Sequence, residues 1–177
     1  MEVLEGVAAI CHTPPPRWGP RPRTRPALPH IQLDQWPPEE IAAELIELSL
    51  SLPDVRSKQS RMASPQSRAL CLPDRCAGGP ASAFIDDHEF CHLHPLPEGT
   101  IHLTLPNPLR DRIVQLGWAE QHPLVRAGVM AETLVMVYAP RDREELAISL
   151  NLIWISCQFA RGIWPCRHRP RPESQAR

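Results

Sequence analysis

The residues with the clearest chemical potential lie in "EFCHLHPLPEGTIHLTLP", residues 89 to 106, where His92, His94 and His102 fall close together. Imidazole is the commonest protein metal ligand and also titrates near neutral pH. Three of them in one place therefore suggest a metal centre or an acid/base site. Strand alternation sets which way each points. In "EFCHLH", Cys91 and Leu93 take one face, and Phe90, His92 and His94 the other. In "TIHLTL", Ile101, Leu103 and Leu105 are the apolar set, with His102 and Thr104 opposite. The linking "PLPEGT" is turn-like, so the two segments pair as a hairpin. Matching apolar to apolar places His94 opposite His102 and His92 opposite Thr104. A slip of one residue would drive the histidines into the core. Facing side chains lie ~5 Å apart at Cβ, so the three imidazoles converge on the sheet face that helices leave open.

Such a trio suits zinc or iron with an open position, and His88, Asp87 or Glu89 could complete it. Alternation aims Glu89 to the opposite face unless a bulge intervenes. Without a metal, the same rings serve as general bases or hydrogen-bonding groups around a bound organic molecule. His92 or His94 would take a proton from an acidic enol or hydroxyl, and Arg141 would hold the resulting anion. The plainer alternative is that these histidines are the solvated side of a one-sided sheet. Other candidates carry less. Tyr138 and Arg141 sit at a strand end before a helix, but Arg141 can equally pair with a neighbouring acid. Trp118 and His122 could flank a pocket, although a tryptophan is more at home in the core. A Cys91–His nucleophilic pair is disfavoured because the strand turns the two apart. There is no GxSxG, phosphate-cradling glycine loop or nucleotide-binding fingerprint.

These groups need elements to position them. "PPEEIAAELIELSLSLP" reads as a helix, with Pro38 in its first turn, Glu39 and Glu40 at the positive end of its dipole, and Ile41, Leu45 and Leu48 as its buried stripe. "DVRSKQSRMA" reads as an edge strand and "RALCL" as a short second strand, while "AFIDD" reads as extended. "NPLRDRIVQLGWA" is helical, with Asn107 as N-cap, Pro108 next and Gly117 near the stop. "TLVMVYAP" reads as a buried strand. Asp142 and Glu145 then open a long helix lined by Leu146, Leu150, Ile153, Trp154 and Cys157. Clustered strands flanked by helices predict an α+β two-layer sandwich, a mostly antiparallel sheet with helices packed on one face.

The chain has 177 residues, room for one core and loose ends. Nine of its 22 prolines fall in the first 38 residues. The predicted organisation is a disordered Pro/Arg-rich tail over 1–33, an α+β domain over 34–162, and a disordered basic tail over 163–177. Arg17, Arg21, Arg23 and Arg25 of the first tail could engage a proline-recognising module or an anionic surface, or simply be solvated. Net charge of −1 argues against a nucleic-acid partner. No apolar run is long enough to span a membrane, and no secretory signal opens the chain. A cytoplasmic location follows as the default, with the six cysteines free and no second spaced pair beside Cys71 and Cys76 to build a zinc knuckle.

The segments "GGPASAFIDDHEFCHLHPLPEGTIHLTLP", "GWAEQHPL" and "LVMVYAPRDREELAISLNLIWISCQFARG" resemble the small luciferase domain family, named after the luciferase of luminous fungi. The resemblance runs from about residue 36 to 162. It implies a fold shared with an enzyme that adds oxygen to a hydroxypyrone-type luciferin without a flavin. It does not imply light emission. Glu89, His92, His94 and His102 fall in the family's most characteristic block and Arg141 in its "YAPR" block; Cys91 stands where a smaller residue is expected. The predicted function is binding of a small hydroxypyrone- or phenol-like molecule, with oxygenation, acid/base or metal-assisted, as the reaction class. The alternative is a non-catalytic interaction domain that uses the open sheet face or the Pro/Arg tail.

Overall fold

A computed structural model describes residues 13–164. The first twelve residues and the basic end from 165 lie outside it, as do Cys11 and Cys166 and the expectations attached to them. The elements are α1 (Glu39–Leu50), β1 (Arg56–Gln59), β2 (Arg68–Cys71), β3 (Glu89–Leu93), β4 (Ile101–Thr104), α2 (Leu109–Gln115), β5 (Ala119–Gln121), α3 (Pro123–Arg126), β6 (Leu134–Val137) and α4 (Arg143–Ala160). The six strands form one sheet in the order β1-β2-β3-β4-β6-β5. Every pairing is antiparallel. The fold is α+β, a sheet with α1 and α4 packed on one face, as predicted.

The core forms where these helices meet the sheet. Ile41 and Leu45 of α1 and Leu146, Leu152 and Ile153 of α4 pack on Cys91, Leu93, Ile101, Leu103, Val135 and Val137. Burying such side chains contributes about 1.5–3 kcal/mol each, which fixes which face of each strand turns inward. Asp142 caps α4, its Oδ1 accepting from Glu145 N–H at 2.9 Å. Gly117, with φ of +84°, ends the turn after α2 where a side chain would be strained.

Four local expectations change. Asn107 does not cap α2; Pro108 occupies that position, and the Asn107 Oδ1 accepts from Arg110 Nε instead. "AFIDD" is a turn that makes only an isolated bridge, Asp86 to Glu89. The hairpin register pairs His92 with His102 and Leu93 with Ile101, two residues from the predicted alignment. Both registers keep the histidines on one face, but the observed one also sets Leu93 against Ile101, and Ile101 is fully buried. Finally, the β2–β3 register shifts between Leu70, opposite Cys91, and Cys71, opposite Glu89. Phe90 is the extra residue of this bulge and turns into the core rather than standing beside His92.

The larger difference is the segment predicted as a disordered tail. From residue 13 it lies across the sheet as a strap. Arg17 N–H donates to Leu116 O at 2.8 Å, Trp118 Nε1–H donates to Pro15 O at 2.7 Å, and Ala139 N–H donates to Gln32 Oε1 at 2.9 Å. Arg17, His30 and Gln32 are buried. Proline fixes the backbone of such a segment in advance, so little chain entropy is lost when it docks. The strap covers the sheet face that the helices leave free. Its main ionic anchor is the buried Arg17–Glu145 pair at 3.3 Å. Arg17→Ala should cost about 2–3 kcal/mol in a urea denaturation, below the usual penalty for orphaning a buried charge because Arg141 still pairs with Glu145. A loss under 0.5 kcal/mol would mean that the strap is not anchored there.

Candidate functional site

The histidine site begins with the bulge in β3. One extra residue at Phe90 keeps Glu89 on the same face as His92, although the two are three apart in sequence. Their contact is short: His92 Nδ1 lies 2.6 Å from Glu89 Oε1. A carboxylate accepts only, so the proton belongs on Nδ1 and the Nε2 lone pair is free to accept. His102, directly across the ladder, fills that place with its Nδ1 at 2.8 Å from His92 Nε2. His94, one residue past the end of β3, puts its Nε2 at 3.3 Å from the same His102 nitrogen. Behind Glu89, the Ser60 hydroxyl donates to the carboxylate at 2.9 Å from Oε1 and 3.1 Å from Oε2. A hydrogen-bonded chain thus runs from Ser60 through Glu89 and His92 to His102.

All of these groups are buried, including Glu89. The histidines are not the wet side of a strand. The strap lays His30 over His102, ring planes 10° apart and centroids 5.5 Å apart. His122, from the turn between β5 and α3, meets both rings edge-on at 5.0 Å. His30 Nε2 lies 2.6 Å from Glu120 Oε1, and Tyr138 OH donates to the other Glu120 oxygen at 3.1 Å. Five buried imidazoles therefore share one layer with the buried Glu89 and the half-buried Glu120. Ligand atoms of His92, His94 and His102 lie within 4.8 Å of one another, and so do those of His30, His102 and His122.

Burial dominates the electrostatics. Desolvation, then the neighbouring His92, His30 and His122, push His94 down to about 3. His102 is held well below its ordinary value by burial first and the other imidazoles second. His122 falls to about 4, again through burial and then His30 and His92. For Glu120, burial works to raise the carboxyl, but the hydrogen bonds from His30, Thr24 and Tyr138 outweigh it and leave it lowered. His94, His102 and His122 are accordingly neutral at pH 7, the form in which imidazole ligates a metal. The same depression makes His94 a weak base for removing a proton unaided.

Arg141 is not part of this layer. Its guanidinium binds Glu145, donates to Trp18 O at 2.9 Å, and reaches Gln35 Oε1 at 3.3 Å. It secures the strap, and among the described residues no histidine is its partner. Cys91 is buried in the core, and desolvation raises its thiol well above the ordinary range, so it is no nucleophile. Trp118 is also core. His88, with φ of +63°, faces Asp74 at 3.4 Å rather than the cluster. The residues that the sequence reading did not connect to the site are His30, Glu120 and, as a member of the cluster, His122. The one trace of His30 was the short "LPHIQL" pattern inside a stretch otherwise rich in proline and arginine.

Residues 87–156 match the family model of the Luciferase domain. The matched segment runs from the turn before β3 into α4 and contains His92, His94, His102, Glu120, His122 and Arg141. His30 and the strap lie outside it. Less than half of the chain is covered. No curated protein and no solved structure matches the chain. No helix among the described residues is long and apolar enough to cross a membrane.

The neutral imidazoles give a signed pH prediction. Below about pH 6.5 the unfolded chain takes up a proton at His94, whereas the folded chain does so only near 3. The unfolded state then binds more protons, so stability falls as pH drops through this window, by up to about 1.4 kcal/mol per unit from His94 alone. The groups facing His94 are His92, His102, His30 and His122, with Glu89 behind His92. With chelator present, His94→Gln should flatten the slope of urea stability between about pH 6.5 and 4.5. An unchanged slope would show that His94 is not held neutral by the fold.

Proposed function

We propose that this chain is a luciferase-domain-like protein that uses His92, His94 and His102 as a three-histidine metal centre. The centre assists binding, and on the family's example oxygenation, of a small hydroxypyrone- or phenol-like molecule. The convergence of the three rings carries the reading. Two of their nitrogens stand 2.8 and 3.3 Å from His102 Nδ1, and tetrahedral zinc-type coordination sets ligand nitrogens roughly 3.4 Å apart. Glu89 supplies the carboxylate behind His92 that orients a metal-ligating imidazole. A bound zinc or iron ion would supply a positive charge to stabilise a ligand's oxyanion, and iron in addition a route to oxygen.

The proposed ligand position lies beside His94. That ring lines a cleft of about 170 Å³ between α1 and the hairpin loop, together with Ala42, Leu45, Ile46, Leu93 and Leu96. Such an apolar space suits about one aromatic ring, since a cavity near 150 Å³ holds benzene. The role first given to Arg141, holding the anion, passes to the metal in this reading. A non-catalytic interaction domain draws less support, because the strap covers the sheet face on which a partner would dock.

The test begins with elemental analysis of untagged protein purified without chelator. Near-stoichiometric zinc or iron, reduced in a His92→Ala/His94→Ala variant, is the expected result. Phenols and hydroxypyrones at about 100-fold their Kd should then raise the Tm by about 5 °C in the loaded protein. Replacing Ala42 with Leu, which narrows the cleft, should abolish that rise. A protein that binds neither metal nor any such ligand would leave this reading without support.

A further inference from the structure

We infer that the far side of His102 forms a second metal site, in which His30, His102 and His122 hold one divalent transition-metal ion of the zinc or iron class. The site shares only His102 with the hairpin centre and does not depend on that centre being occupied. Two buried nitrogens point to it. His102 Nε2 and His30 Nδ1 are both shielded from solvent and have no hydrogen-bond partner among the described residues. An unsatisfied buried polar atom costs about 1–3 kcal/mol, so two in one place need a common explanation.

Their environment supplies it. His30 points its other nitrogen, Nε2, at Glu120, 2.6 Å away, which leaves the Nδ1 lone pair directed inward. His102 points Nδ1 at His92, which itself ends on Glu89, and this leaves the Nε2 lone pair free. These two ligands are thus backed, directly or through one ring, by a carboxylate, the usual outer arrangement of a metal-bound imidazole. His122 supplies the third donor, with all three ligand atoms within 4.8 Å of one another. Its Nδ1 now accepts Leu124 N–H at 3.2 Å, and ligation through either nitrogen exchanges that long bond for a metal–nitrogen bond. Two carboxylates, the buried Glu89 and the half-buried Glu120, stand beside these rings, and a divalent ion complements them. When both positions are filled, His102 bridges as an imidazolate and releases one proton. That anion, with Glu89 and Glu120, offsets three of the four positive charges.

The full chain, stripped by chelator and titrated with zinc(II), should retain about two equivalents after desalting. His30→Ala should retain about one, and so should His30→Gln, which can still donate to Glu120 and so guards against mere loss of folding. His94→Ala should also retain about one. In the wild type, zinc should slow tryptic cleavage at Arg23–Thr24 at least tenfold, because His30 ties the strap down; Arg21 and Arg25 precede proline and resist trypsin. If His30→Gln retains as much zinc as the wild type, or if zinc leaves the cleavage rate unchanged, the second site does not exist. A wild type binding a single equivalent that His30→Gln loses and His94→Ala keeps would uphold this inference and overturn the hairpin centre.

Discussion

The structure depends on keeping a layer of polar rings dry. Imidazoles and carboxylates are removed from water at a cost of several kcal/mol unless every nitrogen and oxygen finds a partner. Glu89 meets that requirement on one side, between Ser60 and His92. Glu120 meets it on the other, between Tyr138 and His30. The sheet sets the first of these through the bulge at Phe90, and the strap sets the second by carrying His30 across the open face. These two carboxylates decide which nitrogen of His30, of His92 and, through His92, of His102 is left to act.

The strap changes the character of the domain. A two-layer sandwich exposes one face of its sheet, and polar residues there are normally solvated. Here a third covering lies on that face, held by Arg17 on Glu145, by Gln32 on the backbone of Ala139 and by Trp118 on Pro15. Arg141 belongs to this fastening rather than to the histidines. The strap therefore closes the cluster from above, and the cleft that His94 helps to line lies between α1 and the hairpin loop. A domain that shuts water away from neutral imidazoles in this manner also strengthens whatever electrostatic interaction a bound cation makes there.

The luciferase-domain match coincides with β3 through most of α4 and so contains most of the cluster. His30 enters from outside the matched segment. The strap, outside the match, contributes a fifth ring, and that ring pairs with Glu120 inside it.

By itself, the sequence determined the class of the fold and the trio at its centre. Alternation around Ile101, Leu103 and Leu105 put His102 opposite the core, and the same rule did so for His92, because periodicity records which face is buried. The Asp142 cap and the Gly117 stop were equally legible, since their signals are local. Only the tertiary structure decided the rest. The bulge at Phe90 that turns Glu89 toward His92 depends on cross-strand pairing with Cys71, and the hairpin register depends on burying Ile101 against Leu93. Neither is written in one strand alone. The strap shows the limit most clearly. Its prolines and arginines carry no periodicity, and its docking comes from contacts with residues about 90 to 130 positions away. His30 and Glu120 are far apart in the chain, and only the fold that brings them together makes them part of one site.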